Sequence, residues 1–228
     1  MCGEDVCSND FKFFHPSTTI IGGMTHSGKT VFVKLLLRNW ENLIRINIKT
    51  LKVLWCYGVS ESVNVENIKN VSIEYYRGIP KIDEIKKMSP HLIILDDLMD
   101  DISIDVKNLF TRESHHLKIS VIFIVQNIFN QNKHMRTISL NSHYIILMKG
   151  LRNTQQVGHL GKQIFPNKSK ELINAFRDAT KNPYGYLVID LHPQSKDEYR
   201  LKTRIFKEEV PPHLRKHHSY CPIFYDIK

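Results

Sequence analysis

The stretch GMTHSGKT, Gly23 to Thr30, decides the fold of this chain. Two glycines separated by four residues and followed by lysine and a hydroxyl residue form the pattern of a phosphate-binding loop. The pattern is informative only where a strand precedes it and a helix follows it. Both are predicted, because the apolar run Thr18 to Ile21 precedes the loop and an amphipathic segment follows it. That segment repeats apolar residues every three or four positions: Val33, Leu36, Leu37, Trp40, Leu43 and Ile44.

The residue types of this loop suit a nucleoside triphosphate, here taken as ATP, with Mg²⁺. Gly23 and Gly28 let the backbone turn tightly, so that successive N–H groups point at the phosphates. The helix N-terminus adds a partial positive charge. We expect Lys29 to reach the β- and γ-phosphate oxygens and the Thr30 hydroxyl to ligate the Mg²⁺ bound to them. The residues between the glycines complete the predicted binding loop: Met24, Thr25, His26 and Ser27.

Length and composition indicate one α/β domain. The chain has 228 residues, of which 42% are hydrophobic and 24% charged, which is ordinary for a globular protein. No apolar run approaches the ~20 residues that span a bilayer, and the start, MCGEDVCSND, is polar rather than signal-like. We therefore expect an intracellular protein with no membrane partner. The net charge of +9 is compatible with a polyanionic partner such as nucleic acid, although lysine-rich genome composition has the same effect.

The four cysteines, at positions 2, 7, 56 and 221, show neither CxxC pairing nor a disulfide framework. We interpret them as unpaired thiols in a reducing compartment. A zinc site formed by Cys221 with His217 and His218 is the weaker alternative, because two adjacent histidines do not easily reach one metal ion.

Two carboxylates end the apolar run in HLIILDD. Leu92 to Leu95 predict a parallel strand that is buried on both faces. Its carboxyl end lies at the edge where open α/β sheets bind ligands. Asp96 is therefore placed to hold Mg²⁺ through water, as a Walker B aspartate does, and Asp97 to orient or deprotonate the attacking water. A solvated acidic turn is the alternative, and Asp100 and Asp101 are interpreted in that way.

A further buried strand, Ile119 to Val125, ends in Gln126 and defines the class of the fold. One group of P-loop NTPases inserts an extra strand between the phosphate-loop strand and the Walker B strand, with a polar residue at its tip that senses the γ-phosphate. Gln126 fits that role by position, and a glutamine that merely ends the strand is the alternative. We predict an α/β P-loop NTPase of this additional-strand (ASCE) type. Its sheet is expected to be mainly parallel and flanked by helices, with a C-terminal β-hairpin.

The remaining segments predict the elements around this centre. We expect strands at 53–57, 71–76 and 142–150, helices at 82–88, 105–116, 155–161 and 168–179, and a polar loop at 128–138. Residues 184–191 and 201–206 are expected to form the C-terminal hairpin, with Lys202 and Arg204 pointing outward.

We divide the chain into three parts. These are a disordered lead, residues 1–12, an ATPase domain, residues 13–208, and a basic C-terminal tail, residues 209–228. Phe13 to Ser17 either form a wall beside the base or ribose of the nucleotide or pack under the sheet.

The order of these motifs resembles that of the viral genome-packaging ATPases of the FtsK/HerA superfamily. The resemblance is carried by the segments GGMTHSGKT, YYRGIP, LIILDDLM, FTRESHHLKISVIFIVQNIF, RTISLNSHYIILMKGLRN and NPYGYLVIDLHP. It is nearest to the packaging ATPases of Maverick/Polinton elements, adintoviruses and their poxvirus-like relatives, and extends from about Phe13 to His192. Such proteins are ring-forming motors that push double-stranded DNA into a preformed capsid.

The resemblance implies a role for each matching residue. Lys29 and Thr30 would bind phosphate and Mg²⁺, Asp96 would be the Walker B metal carboxylate, and Gln126 would be the sensor. Asp97 departs from the glutamate that many P-loop ATPases have at this position. Its shorter side chain must lie closer to the attacking water or act through another one.

Motors of this class also need a cation supplied to the γ-phosphate by the neighbouring subunit, because negative charge spreads over the phosphate oxygens in the transition state. Arg112, Arg136 and Arg152 are the candidates. We favour Arg136, because RTISLN stands just before a strand expected at the nucleotide edge.

The implied partners are double-stranded DNA, further copies of the chain in a homo-oligomeric ring, and a capsid or portal protein. A motor that moves any sequence must contact DNA mostly through phosphates. Lys133, Lys149 or the basic hairpin and tail are the candidate contacts. The resemblance implies a location in the host nucleus or a viral factory, and at the virion vertex during packaging.

Two other functions compete with the motor. A small-molecule P-loop kinase would need an arginine-rich lid and an acceptor pocket after the second strand, and the Asn-rich segment 60–70 offers neither. The other is a nucleic-acid-binding or capsid-associated protein with a vestigial nucleotide site. Lys29, Thr30, Asp96 and Asp97 are intact, which argues against such a loss of the site. A GTPase is disfavoured because the sequence lacks an NKxD-type guanine motif.

Overall fold

The computed structural model describes residues 11–58, 67–98, 104–128, 133–150, 154–209 and 222–226. The strands in these ranges are β1 (Thr18–Gly22), β2 (Leu51–Tyr57), β3 (Val71–Arg77), β4 (Leu92–Asp96), β5 (Ser120–Val125), β6 (Tyr144–Met148), β7 (Tyr186–Asp190), β8 (Leu201–Thr203) and β9 (Ile223–Tyr225). They form one nine-stranded sheet in the order β3-β2-β4-β5-β1-β6-β7-β8-β9. Neighbouring strands are parallel from β3 to β6 and antiparallel from β6 to β9.

Helices pack on both faces of this sheet. They are α1 (Lys29–Arg38), α2 (Trp40–Leu43), α3 (Ile82–Met88), α4 (Ile104–Asn108), α5 (Ser114–Leu117), α6 (Lys133–Leu140), α7 (Thr154–Ile164) and α8 (Ser169–Ala179), with a π-helix, Leu109–Glu113, between α4 and α5. Successive strand residues point to opposite faces. Ile20 therefore belongs to the core that includes residues of α6, α7 and α8, and Ile21 to the core that includes the apolar side of α1.

The strand order confirms the predicted class of the fold. β5 lies between β1 and β4, which is where an additional-strand NTPase inserts its extra strand. Gly22 at the end of β1 pairs with Val125, and Asp96 at the end of β4 pairs with Ile124. The ends of the phosphate-loop strand, the extra strand and the carboxylate strand therefore meet at one edge of the sheet.

Two local predictions differ from the structure. The amphipathic segment after the loop is predicted as one helix, but α1 ends at Arg38 and α2 begins at Trp40, with Asn39 between them at φ −109°. The segment 128–138, predicted as a polar loop, contains most of α6. Burial of Met135 and Ile138 on one side of this helix explains its formation. The helix predicted at 105–116 is present and passes through the π-helix.

The predicted C-terminal hairpin is formed by β7 and β8, but Lys202 does not point outward as predicted. This residue is 1% exposed, and its ammonium donates to Asp190 Oδ2 at 2.8 Å and lies 3.8 Å from the ring centroid of Phe11. The other oxygen of Asp190 accepts from the Ser195 hydroxyl at 2.8 Å. Arg204 follows the strand and is exposed, as expected. A carboxylate and an aromatic ring thus hold a buried lysine.

Described residues of the segments predicted as lead and tail contact the domain between them. Phe11 packs edge-to-face on Phe13 with 4.8 Å between ring centroids. Phe13 is 4% exposed and lies in the core below the sheet, so it does not form a wall beside the nucleotide. β9 lies within residues 209–228 and pairs with β8. No helix in the described ranges has the length and apolarity that a membrane span needs.

We expect Asp190→Asn to lower the free energy of unfolding by about 3–5 kcal/mol, because the Lys202 ammonium would remain buried without its counter-ion. Denaturant unfolding at pH 7 measures this. The matched control is Asp83→Asn, which removes an exposed ion pair with Lys86 and should cost less than about 1 kcal/mol. Similar losses in both variants would contradict the importance of the buried pair.

Candidate functional site

The phosphate-loop pattern forms the turn between β1 and α1. β1 ends at Gly22 and α1 begins at Lys29. His26 and Gly28 have left-handed backbone conformations, with φ of 62° and 99°, and the value at Gly28 is one that favours glycine. The first amides of α1 have no acceptor within the helix. Hydrogen-bond donors and a partial positive charge are therefore available to an anion beside the loop.

Close packing explains the first glycine of the pattern. A Cβ atom on Gly23 would lie 2.6 Å from Met148 Cβ and 2.6 Å from Ser27 Oγ. Met148 is the last residue of β6, which is the neighbour of β1. The Ser27 hydroxyl is buried and has no hydrogen-bond partner among the described residues. The loop thus rests on the end of β6 at a position where only glycine fits.

Lys29 closes the loop on itself in this structure. Its ammonium donates to the carbonyl oxygens of Gly23 at 2.6 Å and Met24 at 2.8 Å. Burial lowers the pKa of Lys29, and the neighbouring carboxylates of Asp96 and Asp97 act in the opposite direction. The two carbonyls hold the cation where a phosphate oxygen would otherwise be its acceptor.

The two predicted carboxylates differ in their surroundings. Asp96 is the last residue of β4 and is partly buried, whereas Asp97 is exposed and has a left-handed backbone with φ of 53°. Burial raises the pKa of Asp96, and so does the charge of Asp97, while the Lys29 ammonium lowers it. Gln126 donates from Nε2 to Asp97 Oδ1 at 3.4 Å. The backbone reversal at Asp97 therefore turns its carboxylate toward the tip of β5.

One cavity of about 540 Å³ brings these residues together. Of the predicted site residues, its lining includes Thr25, His26, Gly28, Lys29, Thr30, Asp96, Asp97 and Gln126. Gly23, Met24 and Ser27 belong to the loop but do not line the cavity. The predicted convergence of loop, carboxylates and glutamine at one sheet edge is thus observed.

The oxygen atoms of this cavity fit a magnesium ion. Thr30 and Asp96 both line it and supply a hydroxyl and a carboxylate. Mg²⁺ is usually held by one or two such groups, together with substrate phosphates and water. The described ranges contain no cluster of three or more His, Cys, Asp or Glu residues that would hold a metal ion without further ligands.

Six residues that line the cavity were not predicted as site residues, among them Ile124 and Val125 at the end of β5. Tyr57 and Gly58 lie at the end of β2, where Tyr57 pairs with Asp96. The carboxyl-edge rule that identified the other residues applies to β2 as well and could have found them. Val31 lies in the first turn of α1, and Tyr184 lies in the turn before β7. No local pattern in the sequence indicates Tyr184, because the turn that carries it comes from a distant part of the chain.

Arg112 and Arg136, the two described arginine candidates, lie outside this cavity. Arg136 is exposed on α6, and the strand that follows, β6, is parallel to β1. The start of β6 therefore lies at the sheet edge opposite the nucleotide, which removes the reason given for preferring Arg136. Arg112 is bound to its neighbour, with 2.7 Å between Nη2 and Glu113 Oε1. Arg152 lies outside the described residues.

The remaining candidates also lie outside the cavity or outside the described ranges. Lys149 donates to the carbonyl of Lys181 at 2.7 Å, and Lys133 is exposed at the start of α6. Cys56 is a free buried thiol, and burial raises its pKa to about 12, so it is unreactive. The suggested zinc ligands at 217, 218 and 221 are not described.

Comparison with known proteins supports the fold. No family model and no curated protein matches the chain. The chain is similar to the genome packaging NTPase B204 from Sulfolobus turreted icosahedral virus 2 in complex with ATP-γS, with a TM-score of 0.50 and 12% identity over 83% of this chain and 96% of that one. The AMPPCP complex of B204 gives 0.47 and 13% over 83% and 97%. The Legionella pneumophila ATPase DotB gives 0.39 and 12% over 78% and 55%.

We expect Gly23→Ala to raise the Kd for Mg²⁺–ATP-γS about tenfold or more, because the new methyl group would displace the loop from Met148. Calorimetric titration measures the Kd, and thermal unfolding shows whether the variant is folded. Gly158→Ala is the control, because its Cβ would meet only Ile173 Cδ1, at 3.4 Å. Unchanged binding by a folded Gly23→Ala variant would contradict the packing argument.

Proposed function

We propose that this chain is an ATPase that drives double-stranded DNA into a viral or virus-like capsid. The observation that carries the ATPase part is the convergence of Lys29, Thr30, Asp96, Asp97 and Gln126 on one cavity at the carboxyl edge of the sheet. Each of these groups has a separate use in phosphoryl transfer to water.

The loop and Lys29 bind the triphosphate in this proposal. The Lys29 ammonium exchanges the carbonyls of Gly23 and Met24 for β- and γ-phosphate oxygens, which are stronger acceptors because they are charged. Backbone amides at the start of α1 donate to the same phosphates. Mg²⁺ held by Thr30 and Asp96 would neutralise charge on the β- and γ-phosphate oxygens.

Asp97 and Gln126 act on the attacking water. The oxygen of that water bonds to the γ-phosphorus while the bond from this phosphorus to the bridging oxygen breaks, and ADP leaves. The Asp97 carboxylate takes the proton of the water. Gln126 holds that carboxylate by a hydrogen bond of 3.4 Å, which is long enough for a phosphate oxygen to compete for the amide. Gln126 is thus placed to respond to the γ-phosphate.

The proposed coupling to DNA rests on the order of the motifs and on the net positive charge of the chain. The chain carries a net charge of +9, which suits contact with DNA phosphates of any sequence. Because its motifs resemble those of viral packaging ATPases, we further propose that identical subunits form a ring and that a capsid or portal protein is a partner. The same resemblance favours action in the host nucleus or a viral factory. The similarity in fold to a genome packaging NTPase is in keeping with this proposal.

The purified chain should hydrolyse ATP with Mg²⁺, and double-stranded DNA of mixed sequence should raise the rate. Lys29→Ala should lower the rate about 100-fold or more, because the charge that develops on the phosphates loses the cation that Lys29 supplies. Phosphate release at several salt concentrations measures both effects, and the stimulation by DNA should weaken as salt rises.

Lys87→Ala is the matched control, since Lys87 is exposed on α3, away from the cavity. Hydrolysis that Lys29→Ala leaves intact would overturn the site. If no length of double-stranded DNA accelerates hydrolysis and light scattering shows a monomer, the motor function is overturned. The ATPase function would then remain.

If an arginine of one subunit acts on the nucleotide of the next, a subunit that lacks it should reduce hydrolysis at its neighbour's site in a mixed ring. Arg136 makes no ion pair with any described residue and lies outside its own subunit's cavity. It stays the arginine we propose for this role because it lies near the start of α6, ten residues after Gln126. Adding Arg136→Ala protein to wild type should lower the ATPase rate more steeply than the wild-type fraction. Arg177→Ala, on the exposed side of α8, should give a proportional fall. A proportional fall for Arg136→Ala would exclude it as the shared residue.

A further inference from the structure

A second cavity of about 610 Å³ adjoins the phosphate cavity. The two share three lining residues, Gly28, Val31 and Tyr184. Gly28 is the last residue before α1, and Val31 lies in the first turn of that helix. The shared boundary is therefore the place where the sugar end of a triphosphate would leave the loop.

Tyr184 stands at this boundary with its ring exposed. The residue is 66% exposed and has a left-handed backbone, with φ of 59°, which is unusual for a bulky side chain. A Cβ on Gly28 would lie 3.1 Å from Tyr184 Cδ1, so the ring lies directly against the second glycine of the loop. The structure thus presents a large aromatic surface to solvent beside the phosphate site.

The turn that carries Tyr184 is held by tight packing. Gly185 donates its amide to the carbonyl of Asn182 at 3.2 Å. A Cβ on Gly185 would lie 2.5 Å from the carbonyl oxygen of Ala179, so a larger residue would displace the turn. The segment Asn182 to Gly185 lines the second cavity as a whole. These contacts fix the backbone from which the tyrosine ring projects.

Both carboxylates that line the second cavity, Asp178 and Glu209, are already paired. Asp178 accepts from the hydroxyl of Tyr225 at 2.8 Å and from the Lys181 ammonium at 3.1 Å. Glu209 accepts from the hydroxyl of Tyr186 at 2.8 Å and from the amide of Phe206 at 3.0 Å. With these carboxylates engaged, the lining from α1 is apolar and includes Val31, Phe32 and Leu35. Lys181 and Arg204 also line the cavity, and the apolar lining from α1 suits a planar group that packs against it.

We propose that the second cavity binds the base and ribose of the nucleotide whose phosphates occupy the first, and that Tyr184 stacks on the base. This inference rests on the proposed nucleotide site. Stacking uses the face of the ring and is worth most where the ring is held in place before binding. Tyr184 therefore distinguishes a nucleotide from a bare phosphate chain.

The test compares two ligands, Mg²⁺–ATP-γS and Mg²⁺–tripolyphosphate, by calorimetric titration. Tyr184→Ala should raise the Kd for ATP-γS about tenfold, because a stacking partner is lost, and should leave the Kd for tripolyphosphate unchanged. Tyr184→Phe keeps the ring and should bind ATP-γS like wild type. Tyr75→Ala, which removes an exposed tyrosine from β3, is the control and should change neither Kd.

The outcomes separate this inference from the proposed function. Loss of binding in Lys29→Ala together with an unchanged Kd for ATP-γS in Tyr184→Ala would overturn the base site alone. Full binding of both ligands by Lys29→Ala would overturn the nucleotide site itself. Equal weakening of both ligands by Tyr184→Ala would show that the ring supports the loop rather than the base. If Tyr184→Ala changes the mass measured by light scattering and leaves both Kd values unchanged, Tyr184 contacts another subunit. That result also overturns the proposal.

Discussion

The spacing set by one inserted strand controls the rest of this structure. β5 pairs with β1 on one side and with β4 on the other, in parallel register. Two strand spacings, about 10 Å, therefore separate the phosphate loop from Asp96. That distance leaves room for phosphate groups and a metal ion between Lys29 and the carboxylates, while the tip of β5 places Gln126 in the gap. Any change of strand order would separate these groups, whatever their local geometry.

Local backbone conformation then adjusts what the sheet brings together. His26, Gly28, Asp97 and Tyr184 have positive φ, and all four line the phosphate cavity. Other non-glycine residues, such as Lys118, also have positive φ but lie outside that cavity. Strain of this kind costs about 1–3 kcal/mol at a non-glycine residue. Because it also occurs outside the cavity, a positive φ is not a sign of function by itself. At Asp97 it has a visible effect, because it turns the carboxylate toward Gln126.

The sequence predicts this fold and site well wherever a local pattern and a general rule suffice. Continuous apolar runs such as Leu92 to Leu95 predict buried parallel strands, and the carboxyl-edge rule then groups Asp96 and Gln126 with the loop. The failures have a different physical origin. Lys202 is buried because Asp190 and Phe11 surround it, and neither is a local neighbour. Tyr184 reaches the site from the turn before β7, and only the folded sheet shows that it lies against Gly28.

The position of Gln126 in the chain links hydrolysis to the surface in the proposed motor. Gln126 follows β5 directly, and Arg136 comes ten residues later on α6. The hydrogen bond from Gln126 to Asp97 is long, at 3.4 Å, so a γ-phosphate can draw the amide away with little loss. In the proposed motor, the amide would return to the carboxylate when the phosphate departs. The segment that begins with the proposed sensor, Gln126, is therefore the same one that leads to the arginine proposed to act on the next subunit. In the proposed motor, this short sequence distance would let one subunit report its nucleotide state to its neighbour without rearranging the sheet.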